Sequence, residues 1–146
     1  MKTLVDTTVW SCAFRRNNRE PAPEALELQR LITKFQAGII GPVRQELLSG
    51  IKSESQFSSQ FSWVRDLMRA FPDVPIETED YERAATFLNT CRAKGIQGSN
   101  TDFLICAVAA RVGYSIFTLD EDFNRFAKYL PVRMHRLSNA HVKTIR

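Results

Sequence analysis

Four acidic residues recur at chemically comparable places: Asp6, Glu46, Asp102 and Asp120. Asp6 and Asp120 follow short apolar stretches that read as strands. Glu46 and Asp102 lie in the opening turns of predicted helices. Carboxylates gathered at one place repel each other, and that repulsion is relieved by raised pKa values or by a bound cation. A hard divalent ion bound by oxygens does it more simply. Mg²⁺ or Mn²⁺ suits ligation by carboxylates alone, whereas zinc or copper calls for the histidines or cysteines this pattern lacks. Such ions activate water and stabilise a leaving oxygen in phosphodiester cleavage.

Each acid also has a plainer reading. Asp6 can cap the helix that starts at Thr7. Glu46 flanks the Val43, Leu47 and Ile51 stripe of its helix, where side chains are usually solvated. Ser99 and Asp102 match a capping box, with Ser99 at the cap and Asp102 three residues on. Asp120 can cap a short helix, with Asp122 facing the helix dipole in its first turn. Capping and metal binding are compatible. Asp6 is followed by Thr7, Thr8 and Val9 rather than by a second aspartate two residues later, which counts against a phosphoaspartate phosphatase of the haloacid dehalogenase type.

The elements that would position these acids alternate. Leu4 and Val5 form a buried strand, and Thr7 to Phe14 a short helix. After the polar run Arg15 to Arg19, Pro21 and Pro23 lead into a helix with Ala25, Leu28, Ile32 and Phe35 on one face, stopped by Gly38. Ile39 and Ile40 read as a strand and Pro42 starts a helix to about Gly50. Ser53 to Phe71 carries Phe57, Phe61, Val64, Met68 and Phe71 at helical spacing. A brief extended piece lies around Val74 to Ile76. Thr78 caps a helix with Tyr81, Ala84, Ala85 and Leu88 inward, ended by Gly95. Ser99 opens a helix apolar on all sides from Phe103 to Ala110, hence buried. Tyr114 to Thr118 reads as a strand, Asp120 to Lys128 as a helix in which Phe123 plugs the core, and Pro131 to Met134 as a last strand. Alternation of this kind predicts an α/β fold, a three-layer α/β/α arrangement around a parallel sheet of about five strands. Ligands in such sheets sit beyond the carboxyl ends of the strands, where all four acids are expected.

The 146 residues, 44% hydrophobic and 25% charged, predict a single domain spanning 1–146. A formal charge of +4 favours a polyanionic partner without requiring one. Arg15, Arg16 and Arg19 form one basic group, and residues from Arg125 to Arg146 another. Cys12, Cys91 and Cys106 are odd in number and lack a CxxC pair, which fits reduced thiols and no zinc site. The absence of an apolar leader or a membrane-length apolar run predicts a cytoplasmic protein.

MKTLVDTTVW, GPVRQELLSG, GSNTDFLICAVAA and IFTLDEDF together resemble the motifs of the PIN-domain nucleases, more narrowly the VapC toxins of bacterial toxin–antitoxin pairs. The resemblance covers nearly the whole chain, in the family's order. It implies Mg²⁺- or Mn²⁺-dependent endoribonuclease activity on RNA, tRNA among the candidate substrates. It further implies homodimers and neutralisation by a VapB-type antitoxin, with which larger assemblies form. Carried over by position, Asp6, Glu46, Asp102 and Asp120 form the catalytic, metal-binding quartet. Asp122 matches a further, more variable acid. Thr7, Thr8 and Thr118 are candidates to support the site through hydroxyls. The fourth acid is Asp120 or Asp122, and Asp120 is favoured as nearer the strand end. Asp6 and Asp102 would hold the principal ion, Glu46 and Asp120 further ligands or water, and Arg15 and Arg16 the RNA backbone.

Two other readings compete. His135 and His141 invite a general-base mechanism, but His135 has no second histidine at a useful spacing, and serine or cysteine nucleophiles lack any elbow or triad context. From a different class, a non-catalytic nucleic-acid- or protein-binding module would explain the basic surplus and the aromatic stretch Phe57 to Trp63, which could shape a groove for an antitoxin helix.

Overall fold

Leu4 and its neighbours make the centre of the molecule because they are apolar, β-compatible and flanked on both sides by other strands. In the computed structural model, which describes residues 2–14, 21–51, 62–71 and 73–137, β1 (Thr3–Val5) runs parallel to β2 (Ala37–Gly38) on one side and to β3 (Ser115–Phe117) on the other. The register sets Thr3 beside Ala37 and Ser115, and Val5 beside Phe117. The Thr3 and Ser115 hydroxyls share a buried hydrogen bond of 2.9 Å.

Among the described residues the sheet has three strands, not about five. Two outer positions are occupied by single parallel bridges, Ile39 with Asp73 and Ile116 with Met134. The expected strand at Ile39 and Ile40 moves back to Ala37–Gly38, and Pro131 to Met134 contributes only the Met134 bridge.

Between the strands run α1 (Thr7–Phe14), α2 (Pro23–Thr33), α3 (Gly41–Ser49), α4 (Ser62–Met68), α5 (Thr78–Ala93), α6 (Asn100–Val112) and α7 (Asp122–Phe126). Helix α1 packs on α2 and α3, and α5 packs on α6, which itself touches β1 and β3. Trp10 is fully buried on α1, stacks against Phe14 and donates its indole N–H to the Val5 carbonyl at 3.2 Å. Phe103 to Ala109 of α6 are all buried, as the all-round apolar pattern requires.

Three local expectations shift. Helix α2 ends at Thr33, so Phe35 lies beyond it, 87% exposed and with φ of 57°. The inner face of α5 is Asp80, Ala84, Phe87 and Cys91, with Tyr81 and Ala85 exposed. Its cap is Glu77 rather than Thr78, because the Asp80 carboxylate takes the Glu77 N–H at 2.8 Å. Phe57, Phe61, Arg15, Arg16, Arg19 and His141 lie outside the described residues. Among the described residues no helix is long and apolar enough to cross a membrane.

Candidate active site

At the carboxyl edge of the sheet, β1 ends and α1 begins within two residues. Asp6 donates its backbone N–H to the Phe117 carbonyl at 2.9 Å, extending the β1–β3 ladder by one rung, while its own carbonyl accepts from Val9 and Trp10 at the start of α1. The backbone is therefore held from both sides, and the side chain is only 5% exposed. Its Oδ2 accepts hydrogen bonds from the hydroxyls of Thr8 at 2.9 Å and Thr118 at 2.8 Å. Those threonines have further partners. Thr8 Oγ1 accepts the Leu119 N–H at 3.0 Å, and Thr118 Oγ1 accepts the Asp120 N–H at 3.0 Å. The loop after β3 is thus tied to Asp6 through the hydroxyls of Thr8 and Thr118.

Thr7 serves a different acid. Its hydroxyl donates to Glu46 Oε2 at 3.1 Å, bringing the exposed face of α3 against the start of α1. Arg44, two residues from Glu46, does not neutralise it. The guanidinium turns instead to Asp73 and the Phe71 carbonyl.

Asp102 sits at the mouth of α6 in the predicted capping box. Ser99 N–H donates to Asp102 Oδ2 at 3.0 Å, and Asp102 N–H to Ser99 Oγ at 3.1 Å. Gly98 makes that loop possible, since a Cβ there would come within 2.6 Å of Phe126 and 2.8 Å of Phe103. Burial pushes the Asp102 carboxyl above the usual carboxylate range, and the charges of Asp6 and Asp120 add to that push against the bonds from Ser99. Asp6 and Asp120 therefore lie near enough for their charges to act on Asp102.

Asp120 and Asp122 are now distinguishable by geometry. Asp120 Oδ1, just ahead of α7, accepts the Asp122 N–H at 2.9 Å, and its charge reaches Asp102. The Asp122 carboxylate lies 3.9 Å from Arg125 on the exposed side of α7. Behind the acids, burial first and then the charges of Asp102, Cys91 and Asp6 push the Cys106 thiol up, so it stays protonated and is no nucleophile.

Among the described residues, none of Asp6, Glu46, Asp102 and Asp120 is ion-paired to a lysine, arginine or histidine. The donor chemistry fits a hard divalent ion: carboxylates, hydroxyls and no sulfur or imidazole. The spacing is more open than a finished cage, for no three acids, histidines or cysteines among the described residues converge tightly enough to close around an ion.

Sequence reasoning passed over one neighbouring cluster. Glu27 of α2 is fully buried and is gripped by Arg30 at 2.7 and 2.8 Å and by His135 Nε2. Its signal was present: Glu27 falls on the Leu28 and Leu31 side of α2, where a charge is unexpected.

The comparisons agree with this architecture. A family model described as the PIN domain matches residues 3–129. Among solved structures, FitAcB from Neisseria gonorrhoeae is similar with a TM-score of 0.76 at 18% identity, covering 92% of this chain and 96% of that one. VapBC2 from Rickettsia felis, bound to a DNA fragment from its promoter, gives 0.70 at 18% identity, covering 92% and 98%. VapC20 of Mycobacterium tuberculosis, described as a sarcin–ricin loop cleaving toxin, gives 0.66 at 16% identity, covering 90% and 99%. No curated protein matches the chain.

Proposed function

The chain belongs to the PIN-domain family, and from that premise we propose that it is a divalent-metal-dependent endoribonuclease, the toxin of a VapBC-like toxin–antitoxin pair. The observation that carries this reading is the hydrogen bonding that gathers Asp6, Glu46 and the Asp120 loop at one sheet edge through Thr7, Thr8 and Thr118, with no cationic side chain paired to these acids or to Asp102 among the described residues. Chains that keep such a cluster keep it for a cation or for chemistry.

In this reading Asp6 and Asp102 hold Mg²⁺ or Mn²⁺, with Glu46 and Asp120 as further ligands or as acceptors for ordered water. When bound, such an ion makes water a stronger nucleophile and stabilises charge on the departing oxygen. The protein's own contribution is placement. Thr8 and Thr118 fix the Asp6 carboxylate, Thr7 steers Glu46, and the Ser99 cap holds Asp102 at the mouth of α6. Arg15 and Arg16 meet the RNA backbone. The neighbours named VapBC2 and VapC20, a toxin, support a VapB-type antitoxin partner; a homodimeric toxin in the cytoplasm completes the proposal.

The test is cleavage of RNA with and without Mg²⁺ or Mn²⁺ by the parent and by Asp6→Asn. Metal-dependent cutting that the variant loses while keeping its fold supports the reading. Equal cutting by both ends it. The alternative, a non-catalytic nucleic-acid- or protein-binding module of the same fold, would show no thermal stabilisation by Mn²⁺.

A further inference from the structure

Beside the acid cluster, on the side of β3 away from β1, lies a groove of about 210 Å³. It shares Asp120 with the cluster. Leu119 and Met134 give it apolar surface, Glu121 and Asp120 line it with carboxylates, Asn124 brings an amide, and His135 lines it as well.

Its chemistry selects among occupants. Two carboxylates in one small groove repel a phosphate or any other anion. They welcome hydrogen-bond donors, and the Asn124 amide both donates and accepts. Leu119 stays 41% exposed, although its N–H is tied to Thr8 of the site and its position is therefore fixed. A flat, neutral, donor-bearing ring with an apolar face matches that lining. In single-stranded RNA such rings are the unstacked bases, which proteins recognise by contact with their faces and hydrogen bonds to their edges.

The His135 side of the groove is preorganised. The His135 N–H donates to the Ile116 carbonyl at 2.7 Å, its ring packs on Phe117 with centroids 5.2 Å apart, and Nε2 is bonded to the buried Glu27 that Arg30 clamps. A carboxylate buried on α2 is thereby explained: it fixes a histidine that lines the groove. Preorganised walls lose little entropy on binding.

We propose that this groove between Leu119, Asn124 and His135 receives the base and ribose of a nucleotide flanking the scissile phosphate, and so sets which RNA sequence is cut. The proposal rests on the nuclease reading for the word scissile, but not for the binding itself.

The experiment therefore has two arms. In EDTA, the full chain labelled with ¹⁵N is titrated with each of the four ribonucleosides and, separately, with inorganic phosphate. At least one nucleoside shifts the amides of Leu119, Asn124 and His135 saturably, phosphate does not, and Asn124→Leu, an exposed position on α7, removes the response with the melting temperature kept. No nucleoside response, a response to phosphate alone, or one unchanged in Asn124→Leu overturns the proposal. In the second arm, RNA oligonucleotides varied on each side of the cut are digested with Mg²⁺ present. Asn124→Leu raises KM about tenfold for the preferred base, the worth of one or two hydrogen bonds, and leaves kcat and the disfavoured bases little changed. An unaltered preference overturns the specificity claim. Nucleoside binding in a parent that cuts no RNA would sink the nuclease reading and leave the groove standing.

Discussion

Two groups of carboxylates in this molecule are handled in opposite ways. Glu27 and Asp80, 0% and 1% exposed, are each given a guanidinium. Burial alone would raise their carboxyls, but Arg30 and His135 outweigh it at Glu27, and Arg111 with the Glu77 N–H outweighs it at Asp80, so both lie below the usual range. Asp6 and Asp102 receive only hydroxyls and backbone N–H groups, and Asp102 is displaced upward. Folding stability alone favours the first arrangement, since an unpaired charge that loses its water is destabilising. The second leaves negative charge without a counter-ion in the chain, and on the proposed nuclease reading the difference would separate structural acids from functional ones.

The sharpest way to break that contrast is by activity. Asp6→Asn should lower kcat/KM for RNA by at least about 10³-fold, roughly 4 kcal/mol of transition-state stabilisation, while circular dichroism and melting stay near the parent's. Parental cleavage rates in that variant would place Asp6 among the structural acids. Mn²⁺ gives the next largest effect. At 100 times its Kd it should stabilise the parent by about 2.7 kcal/mol and Asp6→Asn much less, as read by thermal melting against EDTA controls. Equal shifts in the two proteins would mean the ion binds elsewhere.

The structural acids should show the reverse pattern. Asp80→Ala removes the buried acidic partner of Arg111, leaving it only Glu77 and the Pro75 carbonyl, and removes the acceptor for the Glu77 N–H as well. It should destabilise the protein by roughly 2 kcal/mol in urea unfolding, yet leave cleavage per folded molecule intact. A variant that stayed stable but lost cleavage would put Asp80 in the functional group.

How much of this contrast was legible in the sequence depends on the range of the forces involved. The Ser99–Asp102 capping box and the buried run from Phe103 were legible because caps and helical periodicity act within a few residues. The strand tip at Asp6 and the threonines beside it were legible for the same reason. Strand number was not: a parallel ladder is made by distant partners, and Met134 contributes a single bridge whose extent no local pattern encodes. Likewise Tyr81 looked inward by apolarity, whereas Asp80 took the inner position because Arg111, 31 residues away, meets it there. The Glu27–His135 contact spans 108 residues. A glutamate on an apolar helix face announced that a partner existed, but not which one.

The smallest and most discriminating effect is expected at Asp102. Because its folded carboxyl titrates above the unfolded one, the protein loses stability as pH rises from the unfolded value through the raised folded value, and the penalty is constant beyond. Asp102→Asn keeps an oxygen for the Ser99 N–H and removes the charge, so in EDTA at pH 7 it should be more stable than the parent. The gain should be small because the group is partly solvated, and it is read as a rise in melting temperature over the parent. Near pH 3, where the parent's carboxyl is protonated in both states, the two melting curves should nearly coincide. Glu27 and Asp80 run the other way, contributing stability above the unfolded carboxylate value that is lost as pH falls through their lowered folded values. Saturating Mn²⁺ should then invert the ranking at pH 7, with the parent above Asp102→Asn. A variant less stable than the parent in EDTA at every pH would show that Asp102 serves the fold as a cap and nothing more.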